Sequence, residues 1–156
     1  MKNKLIGLFV LIILSIGAIV YAIEVEEISV LTIREVMIPM PDGIQLAADL
    51  YMPADIPAGE HLPVLLEYTP YRKNDSRGSK YRMYTYFVKR GYVVARVDIR
   101  GTGNSQGRTI PYEYSEIELS DGDAVIAWLA KQDWSNGNVG MFGISWGGFN
   151  SIQMAV

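Results

Sequence analysis

The 156-residue sequence contains no cysteine and a single histidine, His61. The absence of cysteine excludes disulfides, thiolate catalysis and cysteine-based zinc sites, so the core alone must hold the fold. The sequence also lacks a Walker lysine motif, a helical pair of histidines, internal repeats and low-complexity segments. We therefore predict neither a metal nor a cofactor.

Charge is also scarce, since 20% of the residues are charged and 49% are hydrophobic. This balance is typical of a globular protein rather than a disordered one. The formal net charge of -3 argues against nucleic acid as a partner, because such partners are bound through positive surface charge.

The amino terminus differs in composition from the rest. Two lysines precede an uncharged apolar run over residues 5–20, and residues 20–22 fit the small-x-small pattern of a signal cleavage site. We expect export to the extracellular or periplasmic space, with residues 1–22 as a cleaved signal peptide. Extended to Ile23, the run approaches the ~20 residues that span a bilayer, so a retained membrane anchor is the alternative.

The order of the remaining elements predicts an α/β fold. Residues 23–34 form a linker and the start of the first strand, and residues 35–156 form the domain. A leading antiparallel hairpin turns at residues 41–43 and is followed by a β-α-β-α-β order with parallel strands. The predicted strands are Val30–Pro39, Ile44–Tyr51, Val64–Tyr68, Tyr92–Val97 and Asn138–Phe142, and the predicted helices are Ser79–Lys89, Ile117–Lys131 and a third that begins near Gly148.

A G-x-S-x-G sequence, Gly143–Gly147, follows the last apolar strand directly. Between a strand and a helix, this pattern places its serine at a sharp, strained turn that exposes the hydroxyl as a nucleophile. The two glycines leave room beside the turn, where side chains would collide. A glycine-rich loop with an incidental serine is the alternative, but the surrounding strand and helix favour Ser145 as a nucleophile.

Other polar segments are interpreted as structural. The glycines of Gly101–Gly107 invite comparison with a dinucleotide loop, but the third falls one position late and no helix follows closely. We predict a structural loop beside the site, with Asp98 and Arg100 tied into it by hydrogen bonds. Asp121 and Asp123 lie near the start of the second helix and suit the helix dipole.

A serine mechanism needs a base, and His61 lies before the third strand, whereas α/β hydrolases place acid and histidine after the serine. We expect His61 to be an ordinary exposed residue. Residues 146–156 contain no Asp, Glu or His, and a sheet that ends at its nucleophile strand leaves an apolar edge. We therefore expect an amino-terminal part of a longer reading frame, truncated after the elbow and nearly inactive alone.

Five segments carry a more specific pattern: Met40–Tyr51, Thr69–Tyr71, Arg90–Val94, Asp98–Gly107, and Trp128–Trp134 with the elbow that follows. Together they resemble the CocE/NonD and Xaa-Pro dipeptidyl-peptidase (S15) group of α/β hydrolases, over most of residues 35–156. The resemblance implies an α/β-hydrolase sheet.

By this resemblance, Ser145 is the acylated nucleophile, and the Tyr71 hydroxyl and the Trp146 backbone N–H form the oxyanion hole. The family commonly has tyrosine where this chain has Trp146, but the N–H is the working group and only the acyl pocket changes shape. The implied function is hydrolysis of a small ester, an amide or a short peptide through an acyl-enzyme. A noncatalytic hydrolase-like domain with a binding role is the alternative.

Overall fold

The computed structural model describes residues 31–155. Within them the chain forms five strands and three helices, which confirms the predicted α/β class. In chain order these are β1 (Leu31–Pro39), β2 (Gln45–Pro53), β3 (Leu62–Thr69), α1 (Arg77–Val88), β4 (Val93–Asp98), α2 (Glu116–Ala130), β5 (Ser135–Met141) and α3 (Trp146–Gln153).

The proposed signal or anchor, residues 1–22, lies outside the described residues, as does most of the linker, so both stay predictions. In residues 31–155, no helix has the length and apolar character needed to cross a bilayer. The same part of the chain contains no group of three or more acidic or histidine residues suited to a metal ion.

The sheet follows the order β1-β2-β4-β3-β5. β1 and β2 are antiparallel, joined by a tight turn in which Gly43 has a φ of 87° and the Met40 N–H donates to the Ile44 carbonyl at 2.8 Å. β3 is parallel to both of its neighbours, β4 and β5. The predicted hairpin and the predicted parallel crossover are therefore both confirmed.

Helices cover the sheet on both faces. Alternate residues of β4, which include Val93, Ala95 and Val97, join the core that contains Val125 of α2. The intervening Val94 packs in a second cluster with residues of α1. All six residues of β4 are buried, including the charged Arg96 and Asp98, as expected for a strand at the centre of a doubly covered sheet.

This topology determines where a site can form. Parallel strands end at the same edge of a sheet, so the segments that follow β3, β4 and β5 meet there. Those segments are the loop that contains Tyr71, the glycine-rich loop 101–107 and the turn that contains Ser145.

Candidate active site

Ser145 occupies a strained turn between β5 and α3. Its backbone has a φ of 55° and a ψ of -121°, a conformation that non-glycine residues rarely adopt and that costs of the order of 1–3 kcal/mol. The residue is exposed, and its side chain makes no capping hydrogen bond to the helix that it precedes. The hydroxyl is therefore presented at the surface and is not used for helix capping.

The glycines of the elbow allow the strand and the helix to approach closely. A Cβ added to Gly143 would lie 2.5 Å from the carbonyl carbon of Gly147. A Cβ on Gly147 would make only an ordinary contact, 3.5 Å from the carbonyl oxygen of Tyr68. The steric requirement is thus strongest at Gly143, where any side chain would push the helix away from the strand.

Trp146 is the first residue of α3, and its backbone N–H lies 3.4 Å from the hydroxyl oxygen of Tyr71. The first N–H groups of a helix have no partner within the helix and carry its positive dipole end. Tyr71 approaches because β3 and β5 are parallel neighbours, with Leu66 opposite Met141. The structure therefore brings together Ser145, Tyr71 and Trp146, the three site residues predicted from the sequence.

The loop that contains Tyr71 is anchored by a buried lysine. Lys73 is 0% exposed, and its ammonium group donates to Glu35 at 2.6 Å and to Asp49 at 2.9 Å. Its backbone N–H donates to the Asp98 carboxylate at 2.6 Å. Breaking these bonds would leave the buried Lys73 ammonium group unpaired, which is very costly. The bonds therefore hold the chain in place two residues beyond Tyr71.

Sequence reasoning missed this anchor. Its one visible signal is Asp49, an acidic residue within an otherwise apolar strand, which must have a partner if the strand is buried. Arg77 at the start of α1 also binds Asp49 through two nitrogens, at 2.8 and 2.9 Å. The hydrogen bond from Lys73 lowers the pKa of Glu35, which lies at the exposed side of the cluster.

The glycine-rich loop is structural, as predicted. A Cβ on Gly103 would lie 1.9 Å from a carboxylate oxygen of Asp98, which accepts from the Asn104 N–H at 3.2 Å. The Ser105 hydroxyl donates to the Asp98 carbonyl at 2.6 Å and accepts from the Ala47 N–H at 2.8 Å. Burial raises the pKa of Asp98, although the hydrogen bonds that its carboxylate accepts from the Lys73 and Asn104 backbone N–H groups oppose the shift.

Asp121 is structural, as predicted, but its partner is Arg100 and not the dipole at the start of α2. Asp121 is 2% exposed in the second turn of α2, and both of its oxygens accept from Arg100 at 2.7 Å. Arg100 also binds Asp42 in the hairpin turn at 2.6 Å. These carboxylates raise the pKa of Arg100, which therefore stays positively charged. Its two ion pairs link the start of the glycine-rich loop to α2 and to the hairpin turn.

His61 lies far from this site. It is exposed at the amino end of β3, where Nδ1 is 2.7 Å from the Asp133 carbonyl oxygen. Ser145 lies beyond the opposite, carboxyl end of the sheet, and the eight residues of β3 place about 25 Å between the two ends. The structure therefore agrees with the expectation that His61 is not the catalytic base.

An aromatic group flanks the elbow. The Tyr114 ring lies 5.7 Å from the Trp146 ring and 5.7 Å from the Phe149 ring, with tilted geometries in both pairs. Phe149 and Ile144 are 57% and 76% exposed. The surface beside Ser145 is thus apolar and accessible.

Comparison with known protein families matches residues 42–156 to the X-Pro dipeptidyl-peptidase (S15) family. The chain belongs to this family. The resemblance inferred from the sequence is thereby confirmed, and the match contains Tyr71, Ser145 and Trp146.

Individual relatives of this S15-family chain agree with the assignment. It is 41% identical over 124 residues to the cocaine esterase of Rhodococcus sp. (strain MB1 Bresler), a match that covers 78% of this chain and 20% of that protein. A CocE/NonD family hydrolase from Staphylococcus aureus superposes with a TM-score of 0.66 and 26% identity, over 78% of this chain and 24% of that one.

An aminopeptidase from a marine sediment Thaumarchaeota archaeon gives a TM-score of 0.63 and 27% identity, over 79% of this chain and 23% of that structure. The relatives therefore include enzymes named for ester substrates and enzymes named for peptides. The chain spans about a fifth of the length of the cocaine esterase that it matches.

Proposed function

We propose that this chain carries the nucleophile of a serine hydrolase that cleaves a small ester, an amide or a short peptide. In this proposal the Ser145 hydroxyl loses its proton to a base and attacks the acyl carbon, the alcohol or amine leaves, and water then hydrolyses the acyl-enzyme. The family and its relatives support a hydrolase. The exposed, strained position of Ser145 supports its assignment as the nucleophile.

The observation that carries the proposal is the approach of two hydrogen-bond donors beside Ser145. The Trp146 N–H donates to the Tyr71 hydroxyl oxygen at 3.4 Å, so an oxyanion that displaces this bond would lie within reach of both groups and accept from both. The N–H occupies the positive end of α3, which favours negative charge. We assign this pair as the oxyanion hole for the tetrahedral intermediate.

The proposal assigns no described residue as the base or the supporting acid. His61, the one histidine of the sequence, lies at the opposite end of β3. This observation favours a second candidate function, a noncatalytic hydrolase-like domain that binds partners. The two functions differ in the reactivity of Ser145. A binding domain does not need a serine that reacts with acylating or phosphonylating reagents.

A fluorophosphonate probe separates the two candidates, because it modifies serines only where a base and an oxyanion hole activate them. We expect the folded full chain, meaning the product of the complete reading frame that contains residues 1–156, to be labelled at Ser145, and we expect Ser145→Ala to abolish labelling. Absence of labelling in folded wild-type protein would contradict the enzyme and favour the binding domain. A panel of Xaa-Pro anilides and aryl esters then distinguishes an amide from an ester substrate.

We further propose that residues 1–22 direct export of the chain. Their apolar run and the pattern at residues 20–22 support a cleaved signal, with a retained anchor as the alternative. Amino-terminal sequencing of the mature protein from the host cell tests this. A start at Ile23 supports cleavage, an intact amino terminus in the membrane fraction supports the anchor, and a cytoplasmic location contradicts both.

A further inference from the structure

A buried carboxylate joins the elbow helix to α2. Glu118, in the first turn of α2, is 0% exposed. One of its oxygens accepts from the indole N–H of Trp146 at 2.6 Å and from the Asn150 side-chain amide at 2.8 Å. The other accepts from the Tyr114 backbone N–H at 2.8 Å. Two N–H donors on α3 and one on the chain before α2 thus converge on one negative charge.

This arrangement holds α3 at two points. Trp146 and Asn150 are four residues apart, so they lie on one face of the helix about one turn from each other. A single acceptor bound to both fixes the rotation of α3 about its axis as well as its distance from α2. Hydrogen bonds to a charged acceptor are shorter and roughly twice as strong as neutral ones, which makes the restraint stiff.

The same restraint reaches the proposed oxyanion hole. Trp146 supplies the backbone N–H next to the Tyr71 hydroxyl, and the indole of the same residue is the group that Glu118 binds. We propose that Glu118 is a positioning residue that acts through Trp146 to aim this N–H at the oxyanion. This inference rests on the proposed function, since it concerns the geometry of that same site.

A simpler role for Glu118 is helix capping. Ser115 and Glu118 have the S-x-x-E spacing of a capping box, in which the glutamate binds back to a backbone N–H at the start of the helix. The oxygen that binds Tyr114 performs this function, one residue before the usual position. The other oxygen is directed at α3, and Ser115 makes no side-chain capping bond. Capping therefore explains the contact of only one of the two carboxylate oxygens.

Glu118→Gln in the full chain separates the two roles. Glutamine has one acceptor oxygen in place of two, so it cannot serve both Tyr114 and α3. Glu116→Gln is the matched control, because Glu116 is an exposed acid in the same first turn. We expect Glu118→Gln to lower kcat on an aryl ester about 10- to 100-fold, with KM changed less than about threefold, because the oxyanion bond forms in the transition state.

Trp146→Phe provides an independent test, since it removes the indole N–H but keeps an aromatic ring and the backbone N–H. We expect a loss of kcat similar to that of Glu118→Gln, and we expect the double variant to lose little more than either single variant. The rate of fluorophosphonate labelling should fall in parallel, because phosphonylation uses the same oxyanion hole.

The inference is overturned if both single variants keep kcat within about threefold of the Glu116→Gln control, even when unfolding shows that Glu118→Gln is less stable. That result would leave capping as the role of Glu118. If Glu118→Gln does not fold, the kcat of Trp146→Phe decides alone. Failure of the proposed function itself is a different result, namely labelling that is absent or is unaffected by Ser145→Ala.

Discussion

Removal of the Tyr71 hydroxyl is the most direct perturbation of the proposed oxyanion hole. Tyr71→Phe keeps the ring and deletes the donor that lies 3.4 Å from the Trp146 N–H. Loss of one such donor typically costs about 3 kcal/mol, or about 10²- to 10³-fold in kcat. KM should change little, because the bond strengthens as charge develops on the oxygen.

The structure also predicts that this substitution leaves the fold intact. The Tyr71 side chain is 49% exposed, so we expect the free energy of unfolding to change by less than about 0.5 kcal/mol. The assay is steady-state hydrolysis of an aryl ester by the full chain, together with urea unfolding. Tyr86→Phe is a matched control, since Tyr86 is 52% exposed on α1 and its ring contacts Phe87 and Arg90.

Two outcomes would refute this reasoning. If Tyr71→Phe keeps kcat within about threefold of the Tyr86→Phe control, the phenol is not an oxyanion donor. If Tyr71→Phe loses activity together with a large part of its stability, the hydroxyl has a structural role that its exposure does not indicate.

Lys73→Met should cost about 3 kcal/mol in urea unfolding, because it leaves buried carboxylate charge with less compensation. Gly143→Ala should destabilise the protein by about 1–3 kcal/mol and reduce labelling of the elbow serine, because its Cβ would collide with Gly147. His61→Ala should leave kcat and labelling unchanged. Stability due to Glu35, whose pKa lies below its ordinary 4.5, should be complete above that pH and decline in more acidic solution.

Each of these predictions has a contrary result. An unfolding free energy for Lys73→Met equal to that of wild type would show that the buried ion cluster is not needed for stability. Wild-type stability in Gly143→Ala would show that the elbow can open without cost. A large loss of kcat in His61→Ala would mean that this residue reaches the site. For Glu35, the free energy of unfolding of Glu35→Gln is compared with that of wild type as a function of pH. If both fall equally as the solution becomes more acidic, Glu35 does not contribute the predicted stability.

Much of the fold was predictable because its signals are local. The turn at residues 41–43, the apolar segment that became β4 and the cap at Gly91, where φ is 83°, each indicate an element without knowledge of distant contacts. The boundaries were less predictable. β5 begins at Ser135, earlier than predicted, because its pairing with β3 extends into a segment that alone is typical of a turn.

The residues that support the site could not be predicted in the same way. Glu118 has a local capping spacing, and its contact with Trp146, 28 positions later, arises only when α2 and α3 pack together. Nothing local in the sequence marks Lys73 as buried, and its ammonium group is buried because Glu35 on β1 and Asp49 on β2 accept from it. Nucleophile motifs are local in sequence, whereas the groups that orient them are brought in by tertiary packing.

As the proposed nucleophile, the Ser145 hydroxyl must form a covalent acyl intermediate. Acid quenching of the full chain during turnover of an activated ester, followed by peptide mass spectrometry, measures this intermediate directly. We expect an acyl group on the peptide that contains Ser145, absent in Ser145→Ala and more abundant when a slowly hydrolysed acyl group is used. Turnover that persists in Ser145→Ala, or an acyl group found only on another residue, would contradict it.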